Sequence, residues 1–413
     1  MRLRRTVPPA AGRIPARDLW SGLLGIVRGA YYTKRLKSEL AEYFVVDHVF
    51  LVSSGKAALT LILKSLKSLS SRNEVIIPAY TCFSVPSAVV KAGLKVRLCD
   101  IDPSSFDFDL DRLERLLNEN TLCVVPDHLF GIPSNMSRII RMCRSRGIFV
   151  VEDAAQAMGG TLDGSKLGTL GDIGFFSVGR GKNITSGSGG IIVARRGEIA
   201  EALARFYAAL AKPSIFTMIR EWLESVVMSI FTCPTLFWFP DGLPFLRLGK
   251  TVFYKDFPVN RLSGMKAGLL RSWRQRLDQS NRVRSSTADY FSERLHLRTA
   301  RKPAVPYLRL PVVMPSPEAR AEICEAAKAR GLGLSSMYPA PVSAIEEIAA
   351  EFLGLEFPVA SYVAERLLTI PTHELLSKED KDNICRLFRG VPSPVGYPVE
   401  KNADQQPVFY NVQ

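Results

Sequence analysis

Three short stretches of this 413-residue chain carry side chains of chemical use. Ser53-Ser54-Gly55-Lys56 follows the apolar run Val49-Phe50-Leu51-Val52 and opens a helical stretch. Ser54 is a candidate cap for that helix, and the amides at a helix N-terminus can hold a phosphate. Asp153 closes the run Ile148-Phe149-Val150-Val151-Glu152-Asp153, with Gln156 one helical turn further on. Lys182 lies within Gly179-Arg180-Gly181-Lys182-Asn183, shortly after Phe175-Phe176-Ser177. Glycines at such a place let the backbone approach a ligand closely. Each feature alone is weak. A lone lysine is usually a solvated surface residue, Asp153 alone reads as a helix cap, and Gly55 alone as a turn.

Together they suit one cofactor. Pyridoxal phosphate needs a lysine for covalent attachment, a carboxylate facing the ring nitrogen, and a phosphate site. The carboxylate keeps the nitrogen protonated, so that the ring can accept electrons. Lysine suits the covalent role because its pKa falls readily beside other cations, and Arg180 is a nearby candidate for one.

These residues need a scaffold that brings strand ends together. Short apolar strands are expected at 49–52, 75–77, 94–98, 122–125, 148–151, 174–178 and 190–194. Helical stretches separate them, among them Leu59, Ile62, Leu63 and Leu66 at helical spacing and the segments 108–118 and 134–146. Strand and helix in alternation, with apolar strands, predict a mostly parallel sheet covered on both faces. Functional groups then collect beyond the carboxyl ends of the strands. Further on, a long polar helix pair is expected at 262–295, a strand near 307–313, and helices at 317–330, 359–368 and 378–389. At about 150 residues per domain the length allows two or three domains. The expected division is an N-terminal arm at 1–37, a large cofactor-binding domain at 38–270, a small α/β domain at 271–390 and a tail at 391–413.

Composition narrows the function classes. Hydrophobic residues make up 47% and charged residues 23%, which excludes wholesale disorder. Lys+Arg 54 against Asp+Glu 40 gives +14, which favours anionic partners. The basic residues are dispersed and not interleaved with aromatics, so no nucleic-acid partner is expected. Seven scattered cysteines read as reduced thiols in a cytoplasmic protein, and four isolated histidines give no metal site. No apolar leader follows the basic N-terminus. Gly55-Lys56 lacks the upstream glycine of a P-loop, and no GxGxxG occurs.

The segment 214–250 interrupts the pattern, and residues 225–239 carry no charge. That run is too short to span a bilayer, and Pro234 would break a spanning helix. It reads as an insertion packed on the body or on a second subunit. The other reading is a patch dipping into a membrane on the cytoplasmic face, anchored by Trp222 and Trp238.

The run Val151-Glu152-Asp153-Ala154-Ala155-Gln156-Ala157, then Gly168, Gly171-Asp172, Phe176-Ser177 and Lys182-Asn183, resembles the DegT/DnrJ/StrS family of sugar aminotransferases. Pro78-Ala79-Tyr80-Thr81, Asp100-Ile101-Asp102, His128-Leu129-Phe130-Gly131, Asn260-Arg261-Leu262-Ser263 and Leu368-Thr369-Ile370-Pro371-Thr372-His373 are similar to its other motifs. The resemblance covers about residues 38–390. It implies an α/β architecture, the type I pyridoxal-phosphate fold, and a homodimer with sites at the subunit interface. By the same resemblance Lys182 is the covalent lysine, Asp153 the partner of the ring nitrogen, and Gln156 a contact on the ring's hydroxyl side. Gly55, Lys56 and Ser177 would contact the phosphate, with Lys56 where the family usually has Thr. Ser54 and Asn183, in the same two motifs, complete the expected contact set. The family commonly stacks an aromatic on the ring. Here that place is Cys82, with Phe83 next, and both are candidates. The family's cross-subunit Asn aligns with Val259, so Asn260, one place on, is the candidate for that contact.

The implied activity is transfer of an amino group, with glutamate as the expected donor, to a nucleotide- or lipid-linked keto-sugar in glycan biosynthesis. Two alternatives compete. A pyridoxal-phosphate sugar dehydratase would replace the lysine by histidine, and Lys182 is intact. A non-catalytic or regulatory member of the fold has no need of Lys182 and Asp153.

Overall fold

The computed structural model describes residues 5–195, 197–243, 251–297 and 305–389. Seven strands form the main sheet: β1 (His48–Val52), β2 (Glu74–Pro78), β3 (Lys95–Cys99), β4 (Thr121–Val124), β5 (Phe149–Asp153), β8 (Ile173–Ser177) and β9 (Gly190–Ala194). Between β5 and β8, β6 (Thr161–Leu162) and β7 (Ser165–Lys166) make a separate small hairpin. The sheet order is β1-β9-β8-β5-β4-β2-β3. Pairings from β3 through β8 are parallel, while β9 runs antiparallel to both β8 and β1. Hence β1 points the same way as β8, and the carboxyl ends of six strands share one edge.

The apolar runs explain the sheet. Val75-Ile76-Ile77 and Leu122-Cys123-Val124 are buried on both faces, as a sheet covered by helices requires. The helix α3 (Gly55–Lys67) starts where expected, because Ser54 Oγ accepts from the amide of Ala57. It packs nine buried residues inward, among them Leu59, Ile62, Leu63 and Leu66.

The small domain rests on the antiparallel pair β10 (Arg309–Val313) and β11 (Leu367–Pro371). Three helices, Pro317–Arg330, Pro358–Arg366 and Lys378–Leu387, accompany that pair. The helix Trp273–Arg294 connects the two domains. One continuous buried cluster runs from Ile77 and Leu122 to Leu310, Val312 and Ile370, so the domains share a core. The strand at 367–371 lies where a helix over 359–368 was expected to end. Leu367-Leu368-Thr369-Ile370 is buried throughout and pairs with β10.

The N-terminal region is more structured than a loose arm. Helices α1 (Ala16–Val27) and α2 (Gly29–Phe44) occupy most of it, and residue 37 falls inside α2. Arg5 is bonded to Asp380 at 2.7 Å, the Val7 amide donates to the Gly331 carbonyl at 2.8 Å, and buried His373 contacts the Pro8 carbonyl at 2.8 Å. Arg5, Val7 and Pro8 are thereby stitched to the small domain. The expected tail at 391–413 lies outside the described residues.

The 214–250 segment begins with a helix, Ile215–Phe231, capped by Ser214 and followed by a short one, Trp238–Asp241. It packs on the body through Met218, Trp222 and Met228, near Met265 and Leu269. Trp222 is turned inward, its indole N–H donating to the Leu19 carbonyl at 2.9 Å. It is therefore a packing residue rather than a free anchor.

Candidate active site

The common edge of the sheet carries a cavity of about 190 Å³ lined by Ser54, Gly55, Lys56, Cys82, Asp153, Gln156, Ser177 and Lys182. Eight of the eleven expected contact residues thus meet around one space, drawn from the ends of β1, β2, β5 and β8. Asp153 is buried in the cavity wall. Its Oδ1 accepts from the Ala155 amide at 2.9 Å, and its own amide donates to the Pro126 carbonyl at 2.9 Å. The strand behind it is held by Glu152, which accepts from the amides of Gly168 and Gly171 at 2.8 and 2.6 Å. Buried His128 supports the same carboxylate. Its Nδ1 accepts from the Ser134 amide at 3.1 Å, so Nε2 carries the proton toward Glu152 at 3.0 Å. Gln156 is oriented from both ends: Oε1 accepts from Phe130 at 3.3 Å, and Nε2 donates to the Tyr338 hydroxyl at 3.1 Å.

The opposite wall is the start of α3. Amides of a helix's first turn have no intrahelical acceptor, and the helix dipole favours an anion there. A Cβ on Gly55 would lie 3.1 Å from the Ser177 Cβ, so a larger residue would crowd the wall. Gly190 is under tighter constraint, since a Cβ there would lie 2.2 Å from the Ser54 carbonyl oxygen. Lys56 is half-buried, with its ammonium 4.5 Å from the ring centres of both Tyr254 and Phe257. Desolvation lowers its pKa.

Three expected contacts lie off the cavity wall. Buried Asn183 donates to Asn281 Oδ1 at 3.0 Å and lines a separate cleft against the N-terminal segment. Phe83 precedes the helix Ser84–Lys91, and its carbonyl accepts from Ser87, so Cys82 forms the wall instead. Asn260 pairs with the phosphate-side loop through its backbone: its carbonyl accepts from the Ser53 amide at 2.9 Å.

Two buried groups were missed by sequence reasoning. Tyr338 comes from the small domain, in a stretch with no periodic signal. Asp127 could have been found, because Pro126-Asp127 follows the apolar strand β4 much as Asp153 ends β5. Asp127, just past the end of β4, forms an isolated parallel bridge with Asp153 at the end of β5. Asp127 Oδ2 accepts from the Thr81 hydroxyl at 2.7 Å, whereas Oδ1 is buried without a partner among the described residues.

The two acids share one low-dielectric space. Burial pushes Asp127 up to about 7, helped by the charge of Asp153 and opposed by Thr81, Lys182 and His128. Burial likewise pushes Asp153 up to about 6, against the Ala155 amide and Lys182. A free carboxyl titrates near 4. Between about pH 4 and 7 the folded, ligand-free protein therefore binds more protons than the unfolded chain, and these acids make stability fall as pH rises. Asp127→Asn is expected to raise the melting temperature of the ligand-free protein at pH 8 by about 2–4 °C and to leave it unchanged at pH 4. Calorimetry at the two pH values checks this.

Residues and space fit pyridoxal phosphate. Lys182, Asp153 and the helix start at Ser54, Gly55 and Lys56 line one cavity, and Asp127 Oδ1 is buried there without a partner among the described residues. The fold and this site are those that a pyridoxal-phosphate enzyme needs. The chain belongs to the DegT/DnrJ/EryC1/StrS aminotransferase family, which it matches over residues 25–220 and 249–389. Residues 221–248, most of the apolar insertion, fall between the matched stretches.

It is 32% identical to the GDP-perosamine synthase of Vibrio cholerae over 39% of this chain and 44% of that protein, less than half the relative's length. It is 26% identical to the UDP-N-acetyl-3-dehydro-alpha-D-glucosamine 3-aminotransferase of Acidithiobacillus ferrooxidans over 86% of this chain and 87% of that one. Among solved structures, Spr1654 of Streptococcus pneumoniae in its PMP form superposes with a TM-score of 0.73 at 21% identity, covering 93% of this chain and 98% of that one. A PLP form of that protein is also similar, at a TM-score of 0.72.

Proposed function

We propose that the protein is a pyridoxal-phosphate-dependent aminotransferase acting on a keto-sugar in glycan biosynthesis. One observation carries the reading: Lys182, Asp153 and the N-terminus of α3 converge on a single cavity. Bound there, pyridoxal phosphate supplies an aldehyde and an electron-accepting ring. Lys182 would hold the cofactor, and its amine would serve as the acid–base group that moves the proton. Asp153 would keep the ring nitrogen protonated through its carboxylate charge. Gln156, locked by Phe130 and Tyr338, fixes the ring's hydroxyl side. Ser54, Gly55, Lys56 and Ser177 would hold the phosphate, and Cys82 would cover the ring. The relatives' names point to nucleotide-linked keto-sugars, with glutamate as the donor to test first.

The experiment is a visible spectrum of the purified protein with pyridoxal phosphate, followed by amine transfer from glutamate to a panel of keto-sugars. A protein that takes up no cofactor would refute the reading, and elimination without transfer would identify a dehydratase.

Two further elements belong to this reading. The first is a homodimer, with Asn260 beside the Ser53 loop at the shared edge; sedimentation of the holoprotein tests it. The second is peripheral membrane contact from a cytoplasmic location. All seven cysteines are free. No described helix is long and apolar enough to cross a membrane. The helix Ile215–Phe231 nevertheless exposes Ile215, Ile219, Leu223 and Val227 at four-residue spacing, with Phe216 81% exposed beside them. Such a stripe buries its apolar side in a lipid interface. We expect the protein to co-sediment with anionic liposomes and a 214–250 deletion to stay in the supernatant. Equal behaviour of the two excludes the contact.

A further inference from the structure

The inserted helices form one side of a second cavity, about 430 Å³, next to the Lys182 loop. Its walls include Val227, Met228, Phe231, Phe237, Phe239 and Pro240, and residues Pro9, Ala10, Ala11 and Gly12 form its other side. Arg180 and Gly181, immediately before Lys182, also line it. Cavity and candidate catalytic lysine are therefore reached from one loop.

The charged groups lining this cleft are few: Arg180, Arg309 and Glu224. Arg180 is exposed and makes no ion pair or hydrogen bond among the described residues. Arg309, only 8% exposed, lines the cleft from the small domain. Its Nη1 bonds the hydroxyls of Ser335 and Thr369, and no described carboxylate pairs with it. The one acid in the lining, Glu224, is 3.5 Å from Arg220. The hydroxyls are already engaged: Thr232 donates to the Met228 carbonyl at 2.6 Å, and Thr185 accepts from the Gly187 amide at 3.0 Å.

We propose that this cleft holds the carrier of the keto-sugar, and that the carrier is a lipid phosphate, with its apolar chain along the insertion and its phosphate at Arg180. The inference rests on the aminotransferase reading and names its substrate class. A nucleoside carrier needs donors and acceptors that read the edge of a base. Here the walls offer methyl, thioether and phenyl groups, and the side-chain hydroxyls have backbone partners. An apolar chain needs only surface to bury, and two cations without carboxylate partners supply the complement for its phosphate. The volume lies within the roughly 300–1,000 Å³ of small-molecule sites. The cleft is also built largely from residues between the family-matched stretches, so a carrier different from the nucleotides of the relatives follows naturally.

The test uses cofactor-loaded full-length protein and calorimetric titration with dodecyl phosphate below its micellar concentration. Saturable micromolar binding is expected, with inorganic phosphate, dodecanol and UDP each at least about tenfold weaker. Arg180→Ala and Phe239→Glu should each weaken dodecyl phosphate binding at least about tenfold, and Phe239→Glu should leave the cofactor's visible band unchanged. Val227→Glu, at another exposed wall position, repeats the test if Phe239→Glu fails to fold. Tighter binding of UDP or GDP, unchanged affinity in the variants, or a dimer that takes up no dodecyl phosphate because a second copy covers the cleft would each overturn the proposal. A missing cofactor band sinks the aminotransferase reading. A normal band without lipid-phosphate binding sinks only the carrier assignment.

Discussion

Lys182→Ala is expected to lose the visible band of the bound cofactor and at least about 10³-fold in transamination rate. Acid–base catalysis by a positioned group contributes about 10²–10⁴-fold, and the covalent attachment is lost as well. The fold should survive. Lys182 is partly exposed on a loop whose shape is set by its neighbours, with the Ser186 amide on the Val178 carbonyl at 3.0 Å and Arg276 on the Thr185 carbonyl at 2.7 Å. Unchanged melting with a lost band and lost turnover is the predicted combination. Retained turnover would remove Lys182 from the chemistry and with it the proposed function.

Asp153→Asn should separate charge from shape. The amide oxygen can still accept from the Ala155 amide, so the turn that Asp153 caps is kept. What disappears is the negative charge that faces Lys182 across the cavity. We expect the cofactor band to persist, because Lys182 remains, while kcat/KM for the amino donor falls by about 10²–10³-fold, the usual cost of removing one preorganised electrostatic group. Cofactor affinity should fall too, since the ring nitrogen loses its counter-charge. A variant with wild-type kcat/KM would show that Asp127, the neighbouring acid, carries the role instead. The double variant Asp127→Asn, Asp153→Asn then decides, because neighbouring groups that share a function lose more together than their separate losses predict.

Much of the scaffold was legible in the sequence because its signals are local. Uninterrupted apolar runs such as Val75-Ile76-Ile77 marked strands buried on both faces, and Ser54 marked a helix start through its capping hydroxyl. Glu152-Asp153 and the Gly179–Asn183 stretch marked strand ends by residue type and order. The small domain's strand β11 was harder to see. Its buried run Leu367–Pro371 continues directly from a helix, and only pairing with β10, more than 50 residues earlier in the chain, makes it a strand. Phe83 and Asn183 show the same limit within the site. Side chains one position apart can face opposite ways, and spacing alone does not say which one meets the cavity.

By itself, then, the sequence determined an alternating α/β chain with a lysine, a strand-end acid and a capped helix start suited to one cofactor. Only the tertiary structure decided that Asp127 stands beside Asp153, that Tyr338 from the other domain locks Gln156, and that the insertion forms an apolar cleft next to the Lys182 loop. The physical reason is range. Capping and hydrophobic periodicity act over a few residues. The desolvation of paired acids and the closing of a cleft depend on side chains brought together from segments far apart in the chain, which no local pattern encodes.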